Sequence, residues 1–367
     1  MKNTNPYRFV FAAGGTGGHL YPAIAVAQYI KKLHPESEIV FFGNKDKIES
    51  QVVPKYGFEF RSIWISGLYR KFDLRNLLFP VKLIVSAFQS LFFMMRFKPR
   101  VAVGCGAYVS GPVIWAASVI GSKIILLEQN SYPGIANRLL ERKANEIHVT
   151  FEESKKYFRF KDKIYATGNP VRVDLSLIDK DEAAKKFGLD PAKKTVLILG
   201  GSLGARALNE SAARIVDLFE KEDLQLIWQT GKLYYDEYKK YNAEKIKIMP
   251  FIEDMQAAYS ASDLVIARAG ATTIAELSAL GKAAVLVPSP NVAANHQYFN
   301  ALALAESNAA VLIEDKNLTS ELKNKLIELI NDDEKLKKLS DAIKTFSKPE
   351  AASVIAQKAI GMAEQIN

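Results

Sequence analysis

The stretch FAAGGTGGHLYPAIAVA, residues 11–27, sets four glycines and a histidine between an apolar run and a helix-like run. Strand, glycine turn and helix in that order are the opening of a βαβ unit. Glycines after a strand let backbone N–H groups approach a ligand closely, and the next helix aims its positive end at the same place. Such a loop suits a phosphate or a developing negative charge. It fits neither standard nucleotide motif. The dinucleotide fingerprint starting at Gly15-Thr16-Gly17 requires glycine where Leu20 stands, and no acid ends the second apolar run, where FFGNK follows. The Walker pattern requires lysine where His19 follows Gly18.

Outward from this stretch the same rhythm fills the chain. Apolar runs at 8–13, 38–43, 58–65, 99–106, 123–130 and 146–151 alternate with helical patterns. The rhythm breaks near residue 170, in TGNPVRVDLSLIDKDEAAKKFGLDPAKK, and restarts at 195–200, 224–231, 245–252, 263–270, 283–290 and 309–315. The fold class read from this is α/β, with two doubly wound Rossmann-like domains facing a cleft and ligands at the carboxyl ends of the strands. A length of 367 residues suits two domains. The first is expected over 1–168 and the second over 169–349. A last helix, over 351–365, has Ala351, Ile355, Ala359 and Met362 on one face and is free to pack back on the first domain.

Apolar residues make up 49% of the chain, enough for large cores, and Gly and Pro are not in excess. The single cysteine, Cys105, excludes an intramolecular disulfide and suits a reducing compartment. The apolar stretch near the N-terminus breaks into glycines, so no signal-peptide core is read and a cytoplasmic location is expected. The net charge of +9 favours an anionic partner. Residues 61–100 hold eight Lys or Arg and one acid, Asp73, around the run NLLFPVKLIVSAFQSLFFMM. The charge-free part, 83–95, is about two-thirds of the roughly 20 residues that a membrane span needs. A spanning helix is therefore disfavoured. An interfacial helix is expected, with apolar side chains in lipid and Arg70, Lys71, Arg75, Lys82, Arg96 and Lys98 on phosphates. The alternative is a buried core helix with a solvated basic flank. Nucleic acid is disfavoured, because the basic residues flank aliphatics rather than a stacking platform.

His19 stands at the start of its helix. A positive helix end disfavours imidazolium, and a neutral imidazole is what a general base needs. The plainer reading is a capping or packing histidine. Two further loops follow the same plan. In LILGGSLGARALNE, Gly200, Gly201 and Ser202 end a strand and Gly204 opens a helix. In ARAGATTIAELSALG, Gly270 ends a strand and Thr272 or Thr273 can cap the next helix, with Thr273-Ile-Ala-Glu276 a formal capping box. The competing reading places Glu276 on a ribose diol while the helix start faces a diphosphate. Three such loops without a Walker lysine suit a nucleotide diphosphate held by helix ends. Asp179-Lys180-Asp181 forms a D-x-D, which its place before EAAKKFGL marks as a helix cap rather than a cation site. One cysteine and four histidines leave no Cys/His metal cluster, and neither metal nor cofactor is expected.

GGTGGHLYPAIAVA, GAYVSGP, LEQNSYPGIANRLL, TGNPVR, LGGSLGARALN, ARAGATTIAEL and HQYFNA occur in order over nearly the whole chain. Together they resemble the MurG family, bacterial glycosyltransferases of peptidoglycan synthesis. The resemblance implies the two-domain GT-B fold. It implies inverting transfer of N-acetylglucosamine from UDP-GlcNAc to the 4-hydroxyl of the muramoyl sugar of lipid I, a polyprenyl-diphosphate glycolipid, giving lipid II. It also implies no obligatory catalytic metal, and peripheral attachment to the cytoplasmic face of the inner membrane through the segment 61–100.

By the same resemblance Thr16, Gly17 and Gly18 lie beside the donor, with His19 the candidate base. Asn130 and Arg172 match donor-contacting positions, and Ser202 matches a serine near the diphosphate. Ile252 matches a residue meeting uracil with its backbone. Ala271, Thr272, Thr273, Ile274, Ala275 and Glu276 match the helix start that holds the diphosphate, with Glu276 on the ribose. Gln297 matches a glutamine on the donor sugar. Gly15, Tyr108 and Ser110 fall on the acceptor side. Glu128, at a strand end, is a second candidate base or an orienting residue. Two departures stand out. Ala107 occupies a position that is often glycine, and the run Val292-Ala293-Ala294-Asn295 lacks the acids often found before the His296-Gln297 pair. A related lipid-acceptor transferase, a UDP-sugar epimerase and a non-catalytic UDP-sugar-binding membrane protein are the competing readings.

Overall fold

The computed structural model describes residues 6–67, 74–172, 175–201, 203–292 and 295–365; Arg70, Lys71 and Ser202, singled out above, lie outside them, as does the side chain of Arg75. The chain divides into two compact units, Met1–Val173 with Lys348–Asn367, and Asp174–Ser347.

The first unit is built on β1 (Arg8–Ala12), β2 (Glu38–Gly43), β3 (Glu59–Ser62), β4 (Val101–Gly104), β5 (Lys123–Glu128), β6 (Glu146–Val149) and β7 (Ile164–Tyr165). These pair in parallel in the order β3-β2-β1-β4-β5-β6-β7. The second unit uses β8 (Thr195–Leu199), β9 (Gln225–Gln229), β10 (Ile246–Met249), β11 (Leu264–Ala267), β12 (Ala284–Leu286) and β13 (Val311–Leu312), again in parallel, in the order β10-β9-β8-β11-β12-β13. Both orders wind outward in two directions from the first strand. Each sheet therefore has a switch point, between β1 and β4 and between β8 and β11, where the loops part and leave room for a ligand. Helices cover both faces, so the central strands read as unbroken apolar runs rather than alternating ones. Val10 and Phe11 of β1 and Leu197 and Ile198 of β8 are all fully buried. The strand β7 has only two residues and carries no periodicity, and for that reason the sequence pattern passes over it.

In the first unit α1 (Gly17–Leu33) follows β1, α2 (Ile48–Lys55) follows β2, α3 (Phe79–Phe97) precedes β4, α4 (Ala107–Val119) follows β4 and α5 (Ile135–Leu140) follows β5. The last helix, Ala351–Glu364, packs on α1. Ile355, Ala356, Ala359 and Ile360 share a core with Leu20, Ala23, Ile24 and Ala27. Alanines on both helices allow the close approach, and Arg100 donates to the carbonyl of Ala363 at 2.9 Å. The chain leaves and re-enters this unit at one place. Gly168, at φ +88°, lies so close to Lys348 that a Cβ on the glycine would collide with the lysine side chain.

At the start of the second unit Asp179 caps the helix Lys180–Lys186 by accepting from the N–H groups of Asp181 (2.9 Å) and Glu182 (3.1 Å). The D-x-D is a helix cap.

Candidate active site

The glycine loop lies at the switch point of the first unit. Thr16 is the N-cap residue of α1 by backbone conformation, but its side chain makes no cap hydrogen bond. The hydroxyl instead meets Nδ1 of His19 at 3.1 Å. The imidazole lies against the backbone of Gly106, across the switch point. A Cβ on Gly106 would stand 3.1 Å from Cδ2 and 3.3 Å from Nε2, and the residue has φ +83°. Glycine is required there by conformation and by the ring.

The turn after β4 leads into α4, which carries Tyr108 and Ser110. Tyr108 spans two glycines: its ring is 3.5 Å from the place of a Cβ on Gly15 and 3.0 Å from that on Gly67. Ser110 turns its side chain inward. Its side chain is fully buried and its hydroxyl donates to the carbonyls of Gly106 and, at 3.2 Å, Ala12. Its hydroxyl ties the end of β1 to the turn before α4. Cys105 is buried beneath the same turn, and burial pushes its thiol well above the usual range.

Glu128 ends β5 almost fully buried. Its carboxylate accepts from the N–H of Asn130 (3.0 Å), the Nδ2 of Asn130 (3.3 Å), the N–H of Gly134 (2.9 Å) and Nδ2 of Asn137 (2.8 Å). Burial raises its pKa above the ordinary value, against the lowering effect of these four donors. A carboxylate whose lone pairs are taken by the loop 129–137 shapes that loop. Asn137, also bonded to the carbonyl of Leu127 at 2.9 Å, is the partner that sequence reasoning missed. Arg172 places its guanidinium over Tyr21 of α1, 5.6 Å from the ring centroid.

In the second unit Gly204 and Gly231 are held by backbone packing. A Cβ on Gly204 would collide with the carbonyl of Thr230, and one on Gly231 with the nitrogen of Gly204. These glycines let the loops after β8 and β9 touch. Ile252 is buried, and its N–H donates to Oε1 of Gln229 at 2.8 Å.

The helix Ala271–Leu280 begins one strand away, after β11. Its N-cap is Gly270, with no side-chain cap bond and no acid in the first turn. The capping box expected at Thr273 and Glu276 does not form, because the helix starts three residues earlier. Thr272, Thr273, Ile274 and Ala275 lie within the first turns, and the N–H groups of the first turn have no carboxylate cap. Helix ends of this kind in general suit an anion. Glu276, freed from capping, is buried and accepts from the hydroxyl of Tyr259 at 2.8 Å.

Gln297, in the helix His296–Glu306, accepts from the N–H of Ser289 at 2.8 Å. Two residues that the sequence did not single out brace this side. Arg268 donates to the carbonyls of Val287 and Pro288 (3.3 Å each) and pairs with Asp315. Asn300 is buried and bonds the carbonyl of Ala269 at 3.2 Å. The signal for Arg268 was present: a charge that ends an apolar strand.

The helix α3 displays an apolar stripe. Val81, Ile84, Phe88, Phe92 and Met95 recur at helical spacing and are all exposed, as is Leu77 in the 3-10 turn just before, while Ser86, Ser90 and Met94 on the opposite side are buried. By length and composition the run Asn76–Phe97 is enough to cross a membrane, longer than the charge-free part weighed above. Its buried side packs on α4 and, through Phe93 against Phe42, on the sheet.

Residues 9–149 match the family model for the N-terminal domain of glycosyltransferase family 28, and residues 195–355 match the model for its C-terminal domain. Two Rossmann-like units with glycine loops at their switch points define a GT-B glycosyltransferase of that family. The transferases named UDP-N-acetylglucosamine--N-acetylmuramyl-(pentapeptide) pyrophosphoryl-undecaprenol N-acetylglucosamine transferase from Flavobacterium psychrophilum and Cytophaga hutchinsonii are 44% and 45% identical to this chain. Each match covers 98% of this chain, and 98% and 97% of those proteins respectively. The crystal structure of Acinetobacter baumannii MurG aligns with a TM-score of 0.73 at 28% identity, over 97% of this chain and 100% of that one. The chain belongs to the MurG family. A UDP-N-acetylglucosamine 2-epimerase aligns with a TM-score of 0.64 at 14% identity, over 98% of both chains, a likeness of fold alone.

Proposed function

We infer that this chain transfers N-acetylglucosamine from UDP-GlcNAc to the 4-hydroxyl of the muramoyl sugar of lipid I, producing lipid II with inversion at the anomeric carbon. The observation that carries the reading is identity of more than two-fifths to transferases of that name, along 98% of this chain.

The acceptor oxygen attacks the anomeric carbon as the bond to the UDP oxygen breaks on the opposite face. His19 takes the hydroxyl proton. Its Nδ1 is paired with the Thr16 hydroxyl; with the ring proton on Nδ1 and donated to that hydroxyl, Nε2 is the accepting nitrogen. Negative charge on departing UDP is stabilised by the first-turn N–H groups of Ala271–Leu280, residues 271–273, and by Arg172. Glu276, braced by Tyr259, takes the ribose diol, and the carbonyl of Ile252 takes the uracil. Gln297 meets the sugar through its amide nitrogen, since its oxygen is bonded to Ser289. Thr16, Gly17, Gly18 and Asn130 line the donor side of the first unit, and Gly15 and Tyr108 the acceptor side. Glu128 orients the loop that bears Asn130.

Lipid I is anchored in a bilayer, so its enzyme works at the surface. The exposed stripe of α3 enters the interface on the cytoplasmic side, with Lys82, Arg96 and Lys98 near lipid phosphates, each worth about 1 kcal/mol at an anionic surface.

The test is UDP release from UDP-GlcNAc by purified protein, with and without a short-chain lipid I analogue. Release that depends on the acceptor establishes the transfer. Donor binding without release, given a competent acceptor, favours the related-transferase or the binding-protein reading.

A further inference from the structure

Glu49 stands in the first turn of α2, where an acid ordinarily faces solvent near the positive helix end. Here it is fully buried. Its Oε2 accepts the N–H of Gly15 at 3.0 Å and its Oε1 accepts the N–H of Asn44 at 2.8 Å. Two glycines make room for it: a Cβ on Gly14 or on Gly43 would collide with the Glu49 side chain. Gly14 therefore admits a carboxylate from inside the protein rather than a ligand from outside.

We propose that Glu49 is a positioning residue for sugar transfer, holding from beneath the glycine loop that carries Thr16 and His19. A buried carboxylate is costly unless hydrogen-bonded, and both oxygens of this one are bonded to backbone N–H groups of separate loops. Gly15 has φ +82° and immediately precedes Thr16, whose hydroxyl meets Nδ1 of His19. Fixing the N–H of Gly15 fixes the peptide plane from which Thr16 and the start of α1 depart. The second oxygen extends the brace. Asn44 donates through Nδ2 to the carbonyl of Ile65 at 2.6 Å, and Gly67, two residues on, lies under Tyr108. One carboxylate thus sets the glycine loop and, through Asn44, the segment beneath Tyr108. A displacement of about 1 Å in such a loop is enough to cost on the order of 10² in rate.

The proposal rests on the proposed role of His19 in one arm of its test only. Glu49→Gln keeps the shape but turns an NH2 toward one backbone N–H. In the full-length enzyme, with UDP-GlcNAc and a short-chain lipid I analogue, kcat is expected to fall about 10- to 100-fold. The donor KM and the affinity for UDP should stay within about threefold, since Ile252, Glu276 and the first turn of Ala271–Leu280, the groups assigned above to uracil, ribose and diphosphate, all lie in the second unit. In a His19→Ala background the same substitution should cost less than about threefold, because the loop no longer places a base. A wild-type kcat for Glu49→Gln, an equal loss in both backgrounds, or a parallel loss of UDP affinity overturns the proposal. If His19→Ala itself keeps the wild-type kcat, the base reading falls, and the kcat loss of Glu49→Gln at constant donor KM decides on Glu49 alone. Should Glu49→Gln not fold, Glu49→Asp, with both acceptors drawn back by one methylene, carries the same expectations.

Discussion

The imidazole of His19 and the carboxylate of Glu128 both lie within reach of Gly106, in different surroundings. His19 rests directly on that glycine, while Glu128 reaches it only through Asn137, whose Nδ2 is 3.7 Å from the place of a Gly106 Cβ. His19→Ala is expected to lower kcat by about 10²–10⁴ while the donor KM changes little, read from initial rates of UDP release. For Glu128 the environment predicts a pH effect on stability. Its folded pKa is raised above 4.5 by burial. The folded state therefore holds that proton more tightly than the unfolded chain, and this contribution is complete below about pH 4.5 and lost as pH rises through the folded pKa. Relative to Glu128→Gln, the wild type should lose melting temperature over that window and then run parallel to it. A gap constant with pH would show that Glu128 does not titrate differently in the two states. His19 was legible as a residue in a glycine loop. Glu49 was not, because an acid in the first turn of a helix looks the same whether it meets water or two backbone N–H groups.

Helix starts show what local pattern can mislead. Thr273 and Glu276 satisfy the spacing of a capping box, yet the helix begins after Gly270, three residues past the end of β11. The start of α4 shows the converse. Ala107 has φ +58°, a left-handed conformation that disfavours a side chain, at the position where the resemblance pointed to glycine. Strain of about 1–2 kcal/mol for an L-residue there exceeds the roughly 0.5–1 kcal/mol of extra entropy that a glycine loses on folding. Ala107→Gly should therefore stabilise the first unit by about 0.5 kcal/mol, a rise of about 1–2 °C in its melting transition by calorimetry. A fall in melting temperature would mean that the methyl makes a favourable contact worth more than the strain.

At the scale of the molecule, the same winding order appears twice, and each unit brings its glycine loops to a switch point. The first unit adds the α3 stripe. Phe88 and Phe92 are each two-thirds exposed, and inserting a phenylalanine into an apolar phase contributes about 1.5–3 kcal/mol. Phe88→Ser with Phe92→Ser is expected to reduce partition onto vesicles of anionic lipid at least tenfold, by co-sedimentation, with UDP affinity unchanged. Unchanged partition would place the membrane contact elsewhere.

By itself the sequence determined the α/β rhythm, the break near residue 170, the glycine loops and the place of His19 in one of them. Those features are local: strands buried on both faces demand apolar runs, and turns with left-handed backbone demand glycine. Only the tertiary structure decided what each polar group meets. It buried Ser110 against two carbonyls, wrapped four donors around Glu128, engaged the N–H of Ile252 with Gln229 and set Glu49 beneath the glycine loop. The reason is that a hydrogen bond between residues distant in sequence leaves no period in the chain. It exists only once the sheet has brought the strand ends level.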